Sequence, residues 1–178
     1  MGKIIFITGG ARSGKSTYAA SLAEKHKKVA FIATCQALDR EMAKRIKLHQ
    51  HDRPLRWKTF EEPKKVAGLI NDLDNRFDCI LIDCLTLLVS NLLLAKRKEE
   101  QILEEIRNML KNLKKKKARA IIVSNEVGLG LVPANKLGRD FRDIAGKVNQ
   151  LAAKRADEVF LTISGIPLKI KTRSCNLL

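Results

Sequence analysis

Residues 3–16 read KIIFITGGARSGKS, and this stretch decides the fold. After Lys3 comes a β-branched and aromatic run closed by Gly9 and Gly10, the pattern of a buried strand that enters a tight turn. Gly9-Gly10-Ala11-Arg12-Ser13-Gly14-Lys15-Ser16 then completes a G-x-x-x-x-G-K-S, and residues 15–27 carry Tyr18, Leu22 and Ala23 at helical spacing. A strand, a glycine loop and a helix in that order cradle phosphate, because loop N–H groups converge on the oxygens and the helix N-terminus adds partial positive charge. In such a cradle Lys15 reaches the β- and γ-phosphates and the Ser16 hydroxyl ligates Mg²⁺. The ligand this pattern calls for is a nucleoside triphosphate.

Outward from the loop, strands and helices alternate. VAFIAT (29–34), FDCILID (77–83) and AIIVSN (120–125) are apolar runs of strand length, as in a parallel sheet covered on both faces. Helical periodicity covers 38–49, where Met42, Ile46 and His49 share a face, and then 85–95, 98–117 and 136–154. HDRP (51–54) breaks the first of these helices, and RWKTFEEP (56–63) reads as extended. EVFLTI and IPLKIK form a closing hairpin turned by Ser164 and Gly165. The expectation is an α/β protein with a P-loop NTPase fold: a mostly parallel sheet flanked by helices, with a small antiparallel C-terminal edge. With 178 residues and no repeat or low-complexity linker, residues 1–178 are expected to form a single nucleotide-binding domain.

Apolar residues make up 45% of the chain against 30% charged, enough to fill a core and to exclude disorder or a coiled rod. Lys+Arg number 35 against 19 Asp+Glu, a net charge of +16 that suggests an anionic partner, although solvated helix faces would use lysines equally well. The run Lys114–Lys117 sits where cations favour a helix C-terminus. Cys35, Cys79, Cys84 and Cys175 lack the close pairing of a zinc or redox motif. No run of about 18 apolar residues and no signal-peptide pattern appears, so a soluble, cytoplasmic protein is expected.

Asp83 ends the apolar run CILID, the pattern of the acid that holds the metal's water shell in a triphosphatase fold, although capping of the next helix would also place an Asp there. His49 closes its amphipathic helix in RIKLHQHDRP. A histidine on an apolar helix face can simply pack, but a neutral imidazole near bound phosphates and an arginine can attack an α-phosphate and form a nucleotidyl-histidine.

These residues together resemble the bifunctional adenosylcobinamide kinase and adenosylcobinamide-phosphate guanylyltransferase family of cobalamin biosynthesis. The match runs from TGGARSGKS through IATxQxLDxEMAxRIxxH, RPxxWxTxE, the strand ending in Asp83, SNLL and NEVGLGLVP to RDFRD, GKVNQ, ADEV and SGIPLKIK. The resemblance implies phosphorylation of the aminopropanol hydroxyl of adenosylcobinamide by ATP or GTP, then transfer of GMP from GTP to that phosphate. It implies His49 as the guanylylated residue, with Lys15 also catalytic. For nucleotide contacts it implies the loop Gly9 to Ser16, then Thr34, Cys35, Gln36, Gln50, His51, Asp52, Arg53 and Asp83, with Glu61 or its neighbour Glu62. Mg²⁺ at Ser16 and Asp83 and a homo-oligomer, a trimer, are implied as well.

Two other classes compete. A P-loop ATPase or binding module acting on nucleic acid would explain the charge, but aromatics are only 4%, too few for base-stacking platforms, so no nucleic-acid partner is expected. A small-molecule kinase without transferase activity would leave His49 merely packed.

Overall fold

The computed structural model describes residues 2–36 and 54–172. The helix expected over 38–49 lies outside the described residues, with His49, Gln50, His51, Asp52, Arg53 and Cys175.

Seven strands form one sheet: β1 (Ile4–Gly9), β2 (Val29–Ala33), β3 (Lys58–Glu61), β4 (Cys79–Asp83), β5 (Arg119–Asn125), β6 (Glu158–Ile163) and β7 (Ile166–Lys171). Their order is β3-β2-β4-β5-β1-β6-β7, parallel throughout except for the last pair, β6 and β7. The helices are α1 (Lys15–Ala23), α2 (Val66–Asp72), α3 (Leu85–Leu94), α4 (Glu99–Lys115) and α5 (Lys136–Arg155).

Side-chain alternation along each central strand feeds two cores. Ile4, Phe6, Ile32, Ile80, Ile82 and Ile122 face α2 to α5 and meet Ile70, Leu88, Ile106 and Val148 there. Ile5, Ile7, Phe31, Leu81, Ile121 and Val123 face the other way, onto Ala19 and Ala23 of α1 and onto Trp57. Each fully buried Ile or Leu contributes about 1.5–3 kcal/mol, so the central strands are the most strongly held part of the molecule.

Boundaries differ from the sequence pattern where side chains capture backbone groups. Helix α1 stops at Ala23, short of residue 27, because the Asp78 carboxylate accepts from the N–H groups of Lys27 (3.1 Å) and Lys28 (2.9 Å). Within the extended piece 56–63, Lys58–Glu61 form a true strand, β3, parallel to β2 at the sheet's edge.

The lysine run is largely architectural. Lys114 Nζ lies 2.7 Å from Asp157 Oδ2, and that same oxygen accepts the Ile4 N–H at 2.7 Å. Lys116 Nζ donates to the carbonyls of Asn71 (3.1 Å) and Leu73 (2.6 Å), closing the C-terminal end of α2. Lys171 Nζ does the same for α5, donating to the carbonyls of Ala153, Lys154 and Ala156.

Candidate functional site

A parallel sheet presents the carboxyl ends of its strands along one edge, where open α/β folds bind ligands. Register fixes the levels along that edge. Glu61, Ala33, Asp83, Val123 and Ile7 stand side by side on β3, β2, β4, β5 and β1, and the glycine loop leaves β1 two residues beyond, at Gly9. Because Phe60 and Ile82 face the α2–α5 core, alternation turns Glu61 and Asp83 to the α1 face, the face of the phosphate loop.

The loop adopts the cradle that its glycines permit. Gly14, just before α1, has φ 93°, and a Cβ there would stand 3.1 Å from Gly165 Cα. Arg12 also has positive φ, 56°. Ala11 and Arg12 are exposed, Ser13 is buried and Ser16 is half-buried at the first turn of α1. Lys15 is only 6% exposed, and its ammonium donates to the Gly10 carbonyl at 2.5 Å and to Ser13 Oγ at 3.4 Å. Burial lowers its pKa from the ordinary lysine value, and the charge of Asp83 opposes that shift. Lys15 is therefore held across the loop, at the place where phosphate oxygens would replace a carbonyl and a hydroxyl as its acceptors.

Asp83 is locked by its neighbours. Thr34 Oγ1 donates to the Cys84 carbonyl at 2.7 Å and accepts the Cys84 N–H at 2.8 Å, while the Thr34 N–H donates to the Asp83 carbonyl at 3.1 Å. Asn91 Nδ2, inside the apolar helix α3, donates to the carbonyls of Thr34 (2.7 Å) and Pro63 (3.0 Å). Thr34 is fully buried, and its side chain braces the segment that carries Asp83. The resemblance implies a nucleotide contact at this same residue.

Cys35 and Gln36 follow, both half-buried, at the end of β2. Glu61 is exposed at the end of β3, whereas Glu62 Oε1 accepts the N–H groups of Lys64 (2.9 Å) and Lys65 (2.8 Å). Of the two, Glu61 is the one whose side chain alternation turns to the loop. Pattern reading missed Asn91, Thr86, Ser124 and Asn149, polar residues buried at this edge; an Asn within the run LTLLVSNLLL was the one available signal. Burial pushes the thiols of Cys79 and Cys84 up to about 12, so neither is a nucleophile at neutral pH. Among the described residues no cluster of three or more His, Cys, Asp or Glu could hold a metal by itself.

Comparison with known proteins gives the family and the fold. The family described as cobinamide kinase / cobinamide phosphate guanyltransferase matches residues 5–170. The bifunctional adenosylcobalamin biosynthesis protein CobU of Salmonella typhimurium is 44% identical over 180 residues, covering 94% of this chain and 99% of the relative. Its Escherichia coli counterpart is 42% identical with the same coverage. CobP of Pseudomonas aeruginosa is 44% identical over 167 residues, covering 93% and 95%. Among solved structures, a KaiC-like protein from Pyrococcus horikoshii superposes with a TM-score of 0.57 at 15% identity, covering 97% of this chain and 80% of that one. The RadB recombinase superposes at 0.52 with 17% identity, covering 89% and 73%. These two likenesses carry the fold alone, that of P-loop NTPases.

Proposed function

This chain belongs to the cobinamide kinase / cobinamide phosphate guanyltransferase family, and from that premise we propose that one triphosphate site serves two reactions in turn. The chain is a bifunctional enzyme of adenosylcobalamin biosynthesis, a cobinamide kinase and a cobinamide-phosphate guanylyltransferase. In the first reaction the aminopropanol hydroxyl of adenosylcobinamide takes the γ-phosphoryl group of ATP or GTP. In the second, that phosphate takes GMP from GTP, giving adenosylcobinamide-GDP and pyrophosphate.

The observation that carries this reading is Lys15, buried across the glycine loop and feeling the charge of Asp83. A positioned cation, converging backbone N–H groups and the N-terminus of α1 stabilise the charge that develops during phosphoryl or nucleotidyl transfer. Gly9 to Ser16 hold the triphosphate, and Cys35, Gln36 and Glu61 border it at the ends of β2 and β3. Ser16 and Asp83 supply a hydroxyl and a carboxylate, hard oxygen donors that fit Mg²⁺ when phosphates and water complete the shell. Mg²⁺ held there would neutralise charge on the phosphate oxygens. His49 is the nucleophile toward the α-phosphorus of GTP, forming a phosphoramidate as pyrophosphate leaves, with Gln50, His51, Asp52 and Arg53 as further nucleotide contacts.

The test is covalent labelling with GTP radiolabelled on the α-phosphate. An acid-labile GMP adduct on the wild type that His49→Ala abolishes, while cobinamide phosphorylation persists, supports the two-step reading. An adduct that survives His49→Ala, or depends only on His51, overturns the placement of the nucleophile.

We assign the whole chain to one domain, supported by the single sheet that holds β1 to β7, and place it in the cytoplasm on the biosynthetic role of its relatives; among the described residues no helix is long and apolar enough to cross a membrane. The trimer is supported by β7, the outermost strand of the sheet among the described residues, where Ile166, Leu168 and Ile170 are exposed. Light scattering of the purified protein checks it.

A further inference from the structure

A second carboxylate, Glu126, stands at the carboxyl edge with an unusually deep support. Its N–H donates to the carbonyl of Gly9, the first residue of the phosphate loop, at 2.9 Å. Strand β5 lies between β1 and β4, so Glu126 sits between the phosphate loop and Asp83, three residues farther out than Val123, the register partner of Asp83. Its carboxylate is held from both sides: the Gly128 N–H reaches Oε1 at 3.2 Å, and Asn149 Nδ2 reaches Oε2 at 3.4 Å.

Asn149 is 7% exposed, within α5. Its Nδ2 also donates to the Asn125 carbonyl at 3.1 Å, and its Oδ1 accepts from Ser124 Oγ at 2.7 Å. Ser124 Oγ lies 3.2 Å from Thr86 Oγ1, which accepts the Asn125 N–H at 2.7 Å. Three buried polar side chains from α3, β5 and α5 thus fix the end of β5. Burying such groups costs free energy that an apolar core would avoid, and the network opens toward the ligand edge at one group, the Glu126 carboxylate. Two uncharged donors occupy two of its roughly four acceptor positions, leaving it able to take a hydroxyl proton.

We propose that Glu126 is the general base of the kinase reaction and that Asn149 is its positioning residue. This rests on the kinase reading given above. The acceptor hydroxyl oxygen forms a bond to the γ-phosphorus, and its proton passes to Glu126. The bond from the γ-phosphorus to the β–γ bridging oxygen breaks, and its electron pair leaves with the nucleoside diphosphate. Guanylyl transfer needs no such base, because its acceptor is a phosphate already ionised at neutral pH. The carboxylate therefore separates the two reactions that share the loop.

The experiment uses the full chain with Glu126→Gln, Glu126→Asp and Asn149→Ala. Cobinamide phosphorylation is measured with ATP, and guanylyl transfer with GTP and preformed cobinamide phosphate. Kinase kcat is expected to fall by roughly 10²–10⁴ in Glu126→Gln and less in Glu126→Asp. In Glu126→Gln the acid limb of the kinase pH profile disappears, while ATP affinity and guanylyl transfer are retained. Asn149→Ala lowers kcat more than it changes KM and moves the acid limb, a displacement that loss of packing alone would not produce. Undiminished kinase turnover in Glu126→Gln overturns the proposal. So does a parallel loss of ATP affinity and guanylyl transfer, which would make Glu126 part of the shared triphosphate site. Wild-type protein that fails to phosphorylate cobinamide would instead sink the kinase reading itself.

Discussion

The N–H of Gly165, at the tip of the C-terminal hairpin, donates to the carbonyl of Ser13 at 2.9 Å, so the turn between β6 and β7 braces the phosphate loop. The loop's shape thus depends on a segment some 150 residues away, and the close approach crowds any side chain placed at Gly14.

Gly14→Ala places a Cβ at φ 93°, 3.1 Å from Gly165 Cα. The strain is about 1–3 kcal/mol, relieved by moving the loop away from its phosphate-binding shape. GTP affinity measured by calorimetry is expected to fall by about tenfold or more.

Lys15→Ala removes the cation held between Gly10 and Ser13. A charge-assisted hydrogen bond contributes about 1.5–3 kcal/mol, so triphosphate affinity should fall by roughly 10–100-fold. The melting temperature should change little, because a partly desolvated ammonium is lost together with its bonds. Unaltered GTP affinity with a native circular dichroism spectrum would count against the phosphate-loop assignment.

Asp83→Asn keeps the shape of the strand end and removes the negative charge. The Mg²⁺ concentration giving half-maximal activity should rise in both reactions, as read from a titration of each. An unchanged midpoint would remove Asp83 from the metal site.

Thr34→Val is nearly isosteric but strips both side-chain bonds to Cys84, leaving its buried N–H unpaired while its carbonyl keeps the Leu88 N–H. A loss of about 1–3 kcal/mol is expected from denaturant unfolding, with a weaker Mg²⁺ response because Asp83 is no longer held.

The pKa values of Cys79 and Cys84 sit near 12, raised by burial. At pH 8 the reactive thiolate is therefore about one part in 10⁴ at each, by the difference of four pH units. Peptide mapping after alkylation of native protein should find both unmodified, and both should react once the chain is unfolded, with thiolate returning as the pKa falls to its ordinary value.

The parts legible in the sequence are those whose causes are local. Gly9 to Ser16, the apolar runs of β1, β2, β4 and β5, and the turn at Ser164 and Gly165 each declare themselves within a few residues. Strand β3 showed only as an extended piece and not as a sheet strand, because KTFE is exposed at three of its four positions and has no apolar alternation to read. Strand order was equally hidden, since β2 pairs with β4 across a 50-residue separation that no local pattern encodes. At the site, Asp83 is where its motif places it. The resemblance marks Thr34 as a nucleotide contact, whereas its bonds to Cys84, 50 residues on, are visible only in the fold. The Thr86–Ser124–Asn149 contacts span 25 to 38 residues and are visible only in three dimensions.

The lysines that close helix ends make the amines of this protein two chemical populations. Lys114, Lys116 and Lys171 are engaged with Asp157 or with backbone carbonyls, whereas Lys115 and Lys117 are exposed. An acylating reagent would meet the second group as ordinary surface and the first as part of the scaffold. Neutralising an exposed lysine alters solubility and migration in a field. Acylating Lys116 or Lys171 uncovers the end of a helix and acylating Lys114 breaks its pair with Asp157, so a modification that leaves most of the surface unharmed would, at these few positions, act as a denaturant.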